Sequence, residues 1–191
     1  MVEQAVHSID LMAWVMGDKM PVKAMGTGGR QVRTDPVYGN IYDHFAIEYE
    51  YANGAKGYHF CRQQNGCANR NTIEMFGNKG LAKVTMGRGI LELSGRDRWE
   101  YTGKKNDMFQ TEHDELFASI RNGKPMNDGE WMANSTMMAI LGTMAAYTGQ
   151  TITWEDALNS NHTPGPANDS FNWDLKWAGP GIAKPGITKF F

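Results

Sequence analysis

Two cysteines, Cys61 and Cys67, are all that this chain of 191 residues contains. Two are too few for a disulfide scaffold, and their spacing is neither a CxxC redox pair nor a zinc knuckle. They flank the turn signal Asn65-Gly66. A local disulfide therefore competes with two free thiols, the more usual state of lone cysteines, and cytoplasmic and exported locations both stay open. Charge of one sign is also scarce: the formal net charge is −2, and no basic run exceeds Lys104-Lys105. That removes the electrostatic footprint needed for nucleic acid or an anionic membrane. The longest apolar run, within Met137 to Tyr147, is interrupted by Gly142-Thr143 and is too short to span a bilayer. Neither a signal peptide nor a transit peptide is expected.

With 41% hydrophobic and 21% charged residues, the composition is that of an ordinary globular domain. Val2 to Met16 reads as a helix stopped by Gly17. From Val22 to Tyr101 the texture becomes short β-type runs separated by turn residues, among them Asn53-Gly54, Asn65-Gly66 and Gly77-Asn78-Lys79-Gly80. The spacing then predicts one helix from about Asp107 to Arg121, a second from after Asp128 to Tyr147, and a short capped helix at Thr153-Trp154-Glu155-Asp156. These give an α+β fold, a large open and mostly antiparallel sheet with helices on one face. Residues 1–158 are expected to form the body, and 159–191, rich in Pro, Gly and Asn, an extended tail wrapped on it. The glycine clusters Gly26-Thr27-Gly28-Gly29 and Gly87-Arg88-Gly89 complete no G-x-G-x-x-G and lie between no strand and helix, so both read as strand bends or turns.

The first helix carries the chemistry. At 100° per residue, Glu3, His7, Asp10 and Trp14 fall in one stripe about 60° wide, while most of the remaining circumference is apolar. A helix apolar nearly all round is normally buried, and buried ionisable groups need partners or a polar cavity. The stripe is thus expected to line a cleft, with Glu3 one turn before His7 and supporting its imidazole. A histidine suits the removal of a proton from a hydroxyl. A plain salt network between helices explains the same stripe equally well.

The segment Glu3-Gln-Ala-Val-His7-Ser-Ile-Asp10-Leu-Met-Ala-Trp14 resembles the acid-x-x-x-His-x-x-Asp-x-x-x-Trp helix of the glucose–fructose oxidoreductase, inositol dehydrogenase and rhizopine-catabolism (Gfo/Idh/MocA) family. Cys61-Arg62-Gln63 and Phe76-Gly77-Asn78-Lys79-Gly80-Leu81 extend the likeness. It implies the substrate domain of an NAD- or NADP-dependent oxidoreductase of a sugar, cyclitol or glycoside, without its N-terminal Rossmann domain. It further implies a fold like the C-terminal domain of glyceraldehyde-3-phosphate dehydrogenase, with His7 and Glu3 catalytic, and Asp10, Trp14, Arg62 and Gln63 on the substrate. Cofactor would bind the full-length protein and not this chain. The expected partners are a small sugar or cyclitol and a second copy, as a homodimer or homotetramer through the sheet. Members often have Asp where this chain has Glu3, and the family's catalytic lysine belongs to the domain not encoded here. The rival reading is a stand-alone carbohydrate-binding or self-assembly module without redox activity.

A two-residue hairpin at Asn53-Gly54 would pair Ile47 with Phe60 and Tyr49 with Tyr58 on a packed face, leaving His44, Glu48, His59 and Cys61 on the other. That second face looks like a metal cluster on paper, but its residues spread along the strands, and no metal is expected. Met132, Met137, Met138 and Met144 read as helix core rather than a ligand groove. Trp173 and Trp177 read as pins for the tail rather than sugar platforms.

Overall fold

The computed structural model describes residues 1–167, 170–177 and 179–189; the remainder of the expected tail, including Asn168, Asp169, Ala178, Phe190 and Phe191, lies outside the described residues. In chain order the elements are α1 (Val6–Val15), β1 (Lys23–Gly29), a 3-10 turn (Pro36–Tyr38), β2 (His44–Glu50), β3 (Lys56–Arg62), β4 (Thr72–Gly77) and β5 (Gly80–Thr85). They continue as β6 (Ile90–Gly95), β7 (Trp99–Glu100), α2 (Met108–Arg121), α3 (Gly129–Thr148), β8 (Ile152–Thr153) and α4 (Trp154–Leu158). The fold is α+β with antiparallel sheets, but the strands divide into two four-stranded sheets, β3-β2-β1-β8 and β4-β5-β6-β7. Correspondingly the chain forms two compact units, Met1–Cys67 with Met132–Phe191, and Ala68–Trp131.

In the first unit β2 alternates strictly: Phe45, Ile47 and Tyr49 are buried, and the residues between them are half-buried. This is the period-2 pattern of a sheet with one covered face. The cover comes from α1 and α3. Met138 and Leu141 of α3 are fully buried, and the buried Tyr49 hydroxyl donates to the Met138 carbonyl at 3.0 Å. Ile9 and Ala13 of α1 join the same core, and the Met12 thioether rests on Gly57 of β3. Gly26 in β1 permits the close approach of β2, since a Cβ there would sit 2.9 Å from the Ala46 carbonyl oxygen and against Ile47. The glycine cluster of residues 26–29 is thus strand interior, which removes it as a phosphate loop.

The β2–β3 hairpin differs from expectation by one residue of register. Tyr51 N–H donates to the Ala55 carbonyl at 3.0 Å, and Gly54 takes a left-handed φ of 84°. The loop is therefore Ala52-Asn53-Gly54, a three-residue turn whose last position demands αL, rather than a two-residue one. The side-chain period of a strand is two, so the slip exchanges the faces of β3. His59 and Cys61 pack toward the core opposite Ile47 and Phe45, while Tyr58 and Phe60 lie beside Glu48 and Ala46 on the opposite, open face. His44 and Glu48 consequently share no face with His59 and Cys61, and the apparent metal cluster dissolves. Both cysteines are free.

The helices of residues 107–158 form where the spacing put them. Asp107 caps α2 by accepting from Gln110 N–H at 3.2 Å, and Thr153 and Asp156 form a reciprocal capping box at α4. Met137 and Met144 pack on the core with Met138, whereas Met132 is exposed. In the tail Trp173 is fully exposed and Trp177 half-exposed, so neither pins it. The attachment is instead the Ala183 carbonyl, which accepts from the Tyr42 hydroxyl at 2.9 Å, and Gly186 N–H, which donates to Thr148 at 2.7 Å.

The second unit pairs β4 with β5 through the two-residue turn Asn78-Lys79 and adds β6 and β7 in antiparallel order. Among its described residues none is buried.

Candidate functional site

The regular helix α1 begins at Val6, with Ala5 as its cap, so Glu3 lies in the turn before the first helical residue. Glu3 and His7 are exposed, Asp10 is half-buried and Trp14 is 58% exposed. Among the described residues no hydrogen bond or ion pair joins Glu3 to His7. The stripe is therefore an open surface of the first unit rather than a buried one. The apolar circumference explains why: Ile9 and Ala13 are buried in the core, Val6, Met12 and Met16 pack against it, and Val15 and Trp14 are left outside.

The end of the first sheet, where β1 finishes, β2 starts and β3 finishes, gathers a dense set of polar side chains. Gln63, just beyond β3, donates through its amide to Gln4 Oε1 at 2.6 Å. Its own Oε1 accepts from the Arg33 guanidinium at 3.4 Å. Arg33 lies over the Tyr38 ring at 5.5 Å, a cation–π distance. Gln63 is thereby brought to the turn that carries Glu3 and leads into His7, whereas Arg62 stands beside His44 in the β2–β3 register.

Asp43 organises this end. Its side chain is fully buried, and one carboxylate oxygen accepts three consecutive backbone N–H groups, from Gln31 at 2.8 Å, Val32 at 2.7 Å and Arg33 at 3.0 Å. The other accepts from His44 Nδ1 at 2.8 Å and Gln64 Nε2 at 3.1 Å. Burial by itself pushes the Asp43 carboxyl up, but the His44 hydrogen bond and the three backbone donors outweigh it and hold the group well below the usual carboxylate range. The clamp fixes the loop between β1 and β2, whose Arg30 guanidinium also donates to the Asp35 carbonyl at 2.8 Å and to Gly39. Sequence reasoning passed over Asp43, Arg33, Gln31 and Gln64. The one signal available was the pair Asp43-His44 at the start of an alternating strand; the loop amides that saturate the carboxylate leave no periodic trace.

On the core side, burial lowers His59 to about 4, and its Nε2 finds no partner among the described residues. Burial likewise raises the Cys61 thiol. Among the described residues no group of three His, Cys, Asp or Glu side chains is placed to hold a metal, and no helix is long and apolar enough to cross a membrane.

The fold is shared with sugar-active oxidoreductases. The chain is similar to the aldose-aldose oxidoreductase of Caulobacter crescentus, solved with glycerol, at 18% identity and a TM-score of 0.66 over 78% of this chain and 45% of that one. It is similar to UDP-N-acetylglucosamine 3-dehydrogenase GnnA of Acidithiobacillus ferrooxidans at 17% identity and a TM-score of 0.64, covering 74% of this chain and 45% of that one. The WlbA dehydrogenase of Bordetella pertussis, solved with NADH and UDP-GlcNAcA, gives 18% identity and a TM-score of 0.59 over 79% and 44%. The chain thus spans less than half the length of these proteins. No curated protein matches it significantly. Residues 1–83 match the family described as the GFO/IDH/MocA C-terminal domain. That match covers less than half of the chain, and the solved structures share its fold.

Proposed function

We propose that this domain binds the substrate and moves the proton in an NAD(P)-dependent oxidoreductase acting on a hydroxyl of a sugar, cyclitol or glycoside. The observation that carries the reading is the Gln63–Gln4 hydrogen bond at 2.6 Å, which ties the polar strand end to the turn before α1. Arg62 and Gln63 then grip substrate hydroxyls, as a guanidinium and a carboxamide do well. His7 takes the hydroxyl proton, with Glu3 in the turn before it, and Asp10 and Trp14 border the substrate. A dinucleotide held by another domain would supply the hydride acceptor. The described residues do not fit that cofactor: the glycine clusters lie in a strand and in a hairpin, and Ala5 caps α1. Calorimetry on the 191-residue chain should accordingly show no NAD(H) or NADP(H) binding, and micromolar binding would overturn this part of the reading.

In the oxidoreductase that joins this domain to a dinucleotide-binding one, His7→Ala should lower turnover by about a hundredfold or more while the fold survives. Glu3→Gln should lower turnover less than His7→Ala does, with the fold intact. Normal turnover per folded molecule in His7→Ala would refute the assignment.

The open face of the first sheet favours a second reading, self-association. Phe60 is 73% exposed, Tyr58 57% and Met25 54%, side by side and framed by Lys23, Lys56, Glu48 and Glu50. Light scattering should show a homodimer or homotetramer that Phe60→Glu disperses; a clean monomer for the unaltered chain would exclude it.

A further inference from the structure

Apart from the α1 stripe, the first unit holds an imidazole already backed by a buried carboxylate. His44 Nδ1 lies 2.8 Å from Asp43 Oδ1, with Asp43 fully buried and His44 one-third exposed. An ionised carboxylate only accepts, so the shared proton resides on Nδ1 and the Nε2 lone pair is left as the acceptor. The five donors on Asp43, from Gln31, Val32, Arg33, His44 and Gln64, saturate its two oxygens. Asp43 therefore reaches a ligand only through His44. Gly29, opposite His44 in the β1 register, leaves the ring its place: a Cβ there would sit 3.1 Å from Cε1 and 3.3 Å from Nε2. Arg62 stands opposite on the other side, in the β3 register, and Gln63 and Arg33 belong to the same strand end.

We propose that His44, oriented by Asp43, is the hydroxyl-accepting residue of a neutral polyol subsite at the ends of β1, β2 and β3. The surroundings supply the complementary half of such a site. Guanidinium and carboxamide groups donate to hydroxyl oxygens, but every one of the guanidinium contacts is a donor contact, and a polyol also needs a lone pair to receive its O–H. His44 Nε2 provides it. A single imidazole without two further ligands does not recommend a metal ion. Asp43 is a positioning residue here, and His44 the group in contact. This inference rests on the sugar reading above and names one of the groups that would grip the substrate.

The test uses the 191-residue chain, labelled with nitrogen-15, with D-glucose and myo-inositol as probes. Long-range proton–nitrogen correlation at neutral pH should find His44 protonated on Nδ1, and its Nε2 resonance should move as either probe is added. His44→Asn keeps a donor where Nδ1 stood and removes only Nε2. It should leave the melting temperature in place and weaken binding by about three- to tenfold, the loss of one hydrogen bond. Asp43→Asn should release the tautomer preference of His44 in the same spectrum. Protonation on Nε2, or a His44→Asn variant that melts early yet binds normally, would reduce the pair to a loop clamp and overturn the proposal. Probes that move His7 or Arg62 signals without His44 refute the subsite and leave the sugar reading standing. Probes that move nothing refute both.

Discussion

The two units are built from the same kind of antiparallel hairpins, yet every buried apolar residue described belongs to the first. There, β2 presents Phe45, Ile47 and Tyr49 to helices whose own small residues, Ala139, Ala145 and Ala146, allow close approach. In the second unit Ile73, Leu81 and Val84 remain half-buried, and Phe109, Leu116, Phe117 and Ile120 of α2 are exposed. Hydrogen-bonded ladders give both sheets their register. Only a face covered by helices gives one of them a core, and the hydrophobic term scales with the apolar area removed from water.

The largest test of that contrast is truncation. Tyr49→Ala should cost about 3–5 kcal/mol in urea unfolding, because it empties a fully buried site and removes the hydrogen bond to the Met138 carbonyl. Val84→Ala should cost about 1 kcal/mol or less. Amide exchange should follow the same order, with β4–β6 opening at lower free energy than β2. Equal losses at the two positions would erase the distinction between the units.

Acid should act on the first unit next. His59 has a folded pKa of about 4 against an ordinary 6.5, caused by burial. The unfolded chain therefore binds a proton between those values that the folded chain refuses. Stability is full above about pH 6.5 and falls by up to about 3 kcal/mol as pH drops to 4. His59→Leu should flatten melting curves measured across that window; an unchanged slope would count against the buried imidazole as its source.

Asp43 controls a lower window with the same direction. Its folded pKa is depressed, so its contribution is present above the ordinary carboxylate value and is lost as pH falls below about 4. Asp43→Asn should cost about 1–3 kcal/mol at neutral pH, since a saturated acceptor loses charge and gains an unwanted donor, and should blunt that last acid limb. The smallest effect is expected at Lys56, which bridges the half-buried Glu48 at 2.5 Å and Glu50 at 3.0 Å on the open face. Lys56→Ala should leave the melting temperature unchanged within error, because exposed ion pairs are screened. A clear drop would mean that the open face is covered in solution.

Local chemistry made much of the fold legible. The Asp107 cap, the stop at Asn122-Gly123, the Thr153 capping box and the Asn78-Lys79 turn each depend on a few adjacent residues, and each stands where the spacing placed it. The β2–β3 register was not legible in the same way. Asn53-Gly54 announces a turn, but whether the loop holds two or three residues depends on which face of β3 the core accepts. Burying His59 and Cys61 against Ile47 and Phe45 settled that choice. The first helix shows the complementary limit. Its stripe of Glu3, His7, Asp10 and Trp14 is plain in the sequence, but its burial is not, because α1 turns Val6, Ile9, Met12 and Ala13 to the core and leaves most of the stripe outside.

By itself, then, the sequence determined the α+β class, the ends of the helices between residues 107 and 158, the place of the turns and the family likeness in the first helix, all properties of neighbouring residues or of a fixed period. Tertiary structure decided the division into two sheets, the face on which His59 and Phe60 lie, and the meeting of Asp43 with residues 31–33, His44 and Gln64. The reason is the same in each case. A buried carboxylate or a covered sheet face is stabilised by groups distant in the chain, and no local pattern says which distant group arrives.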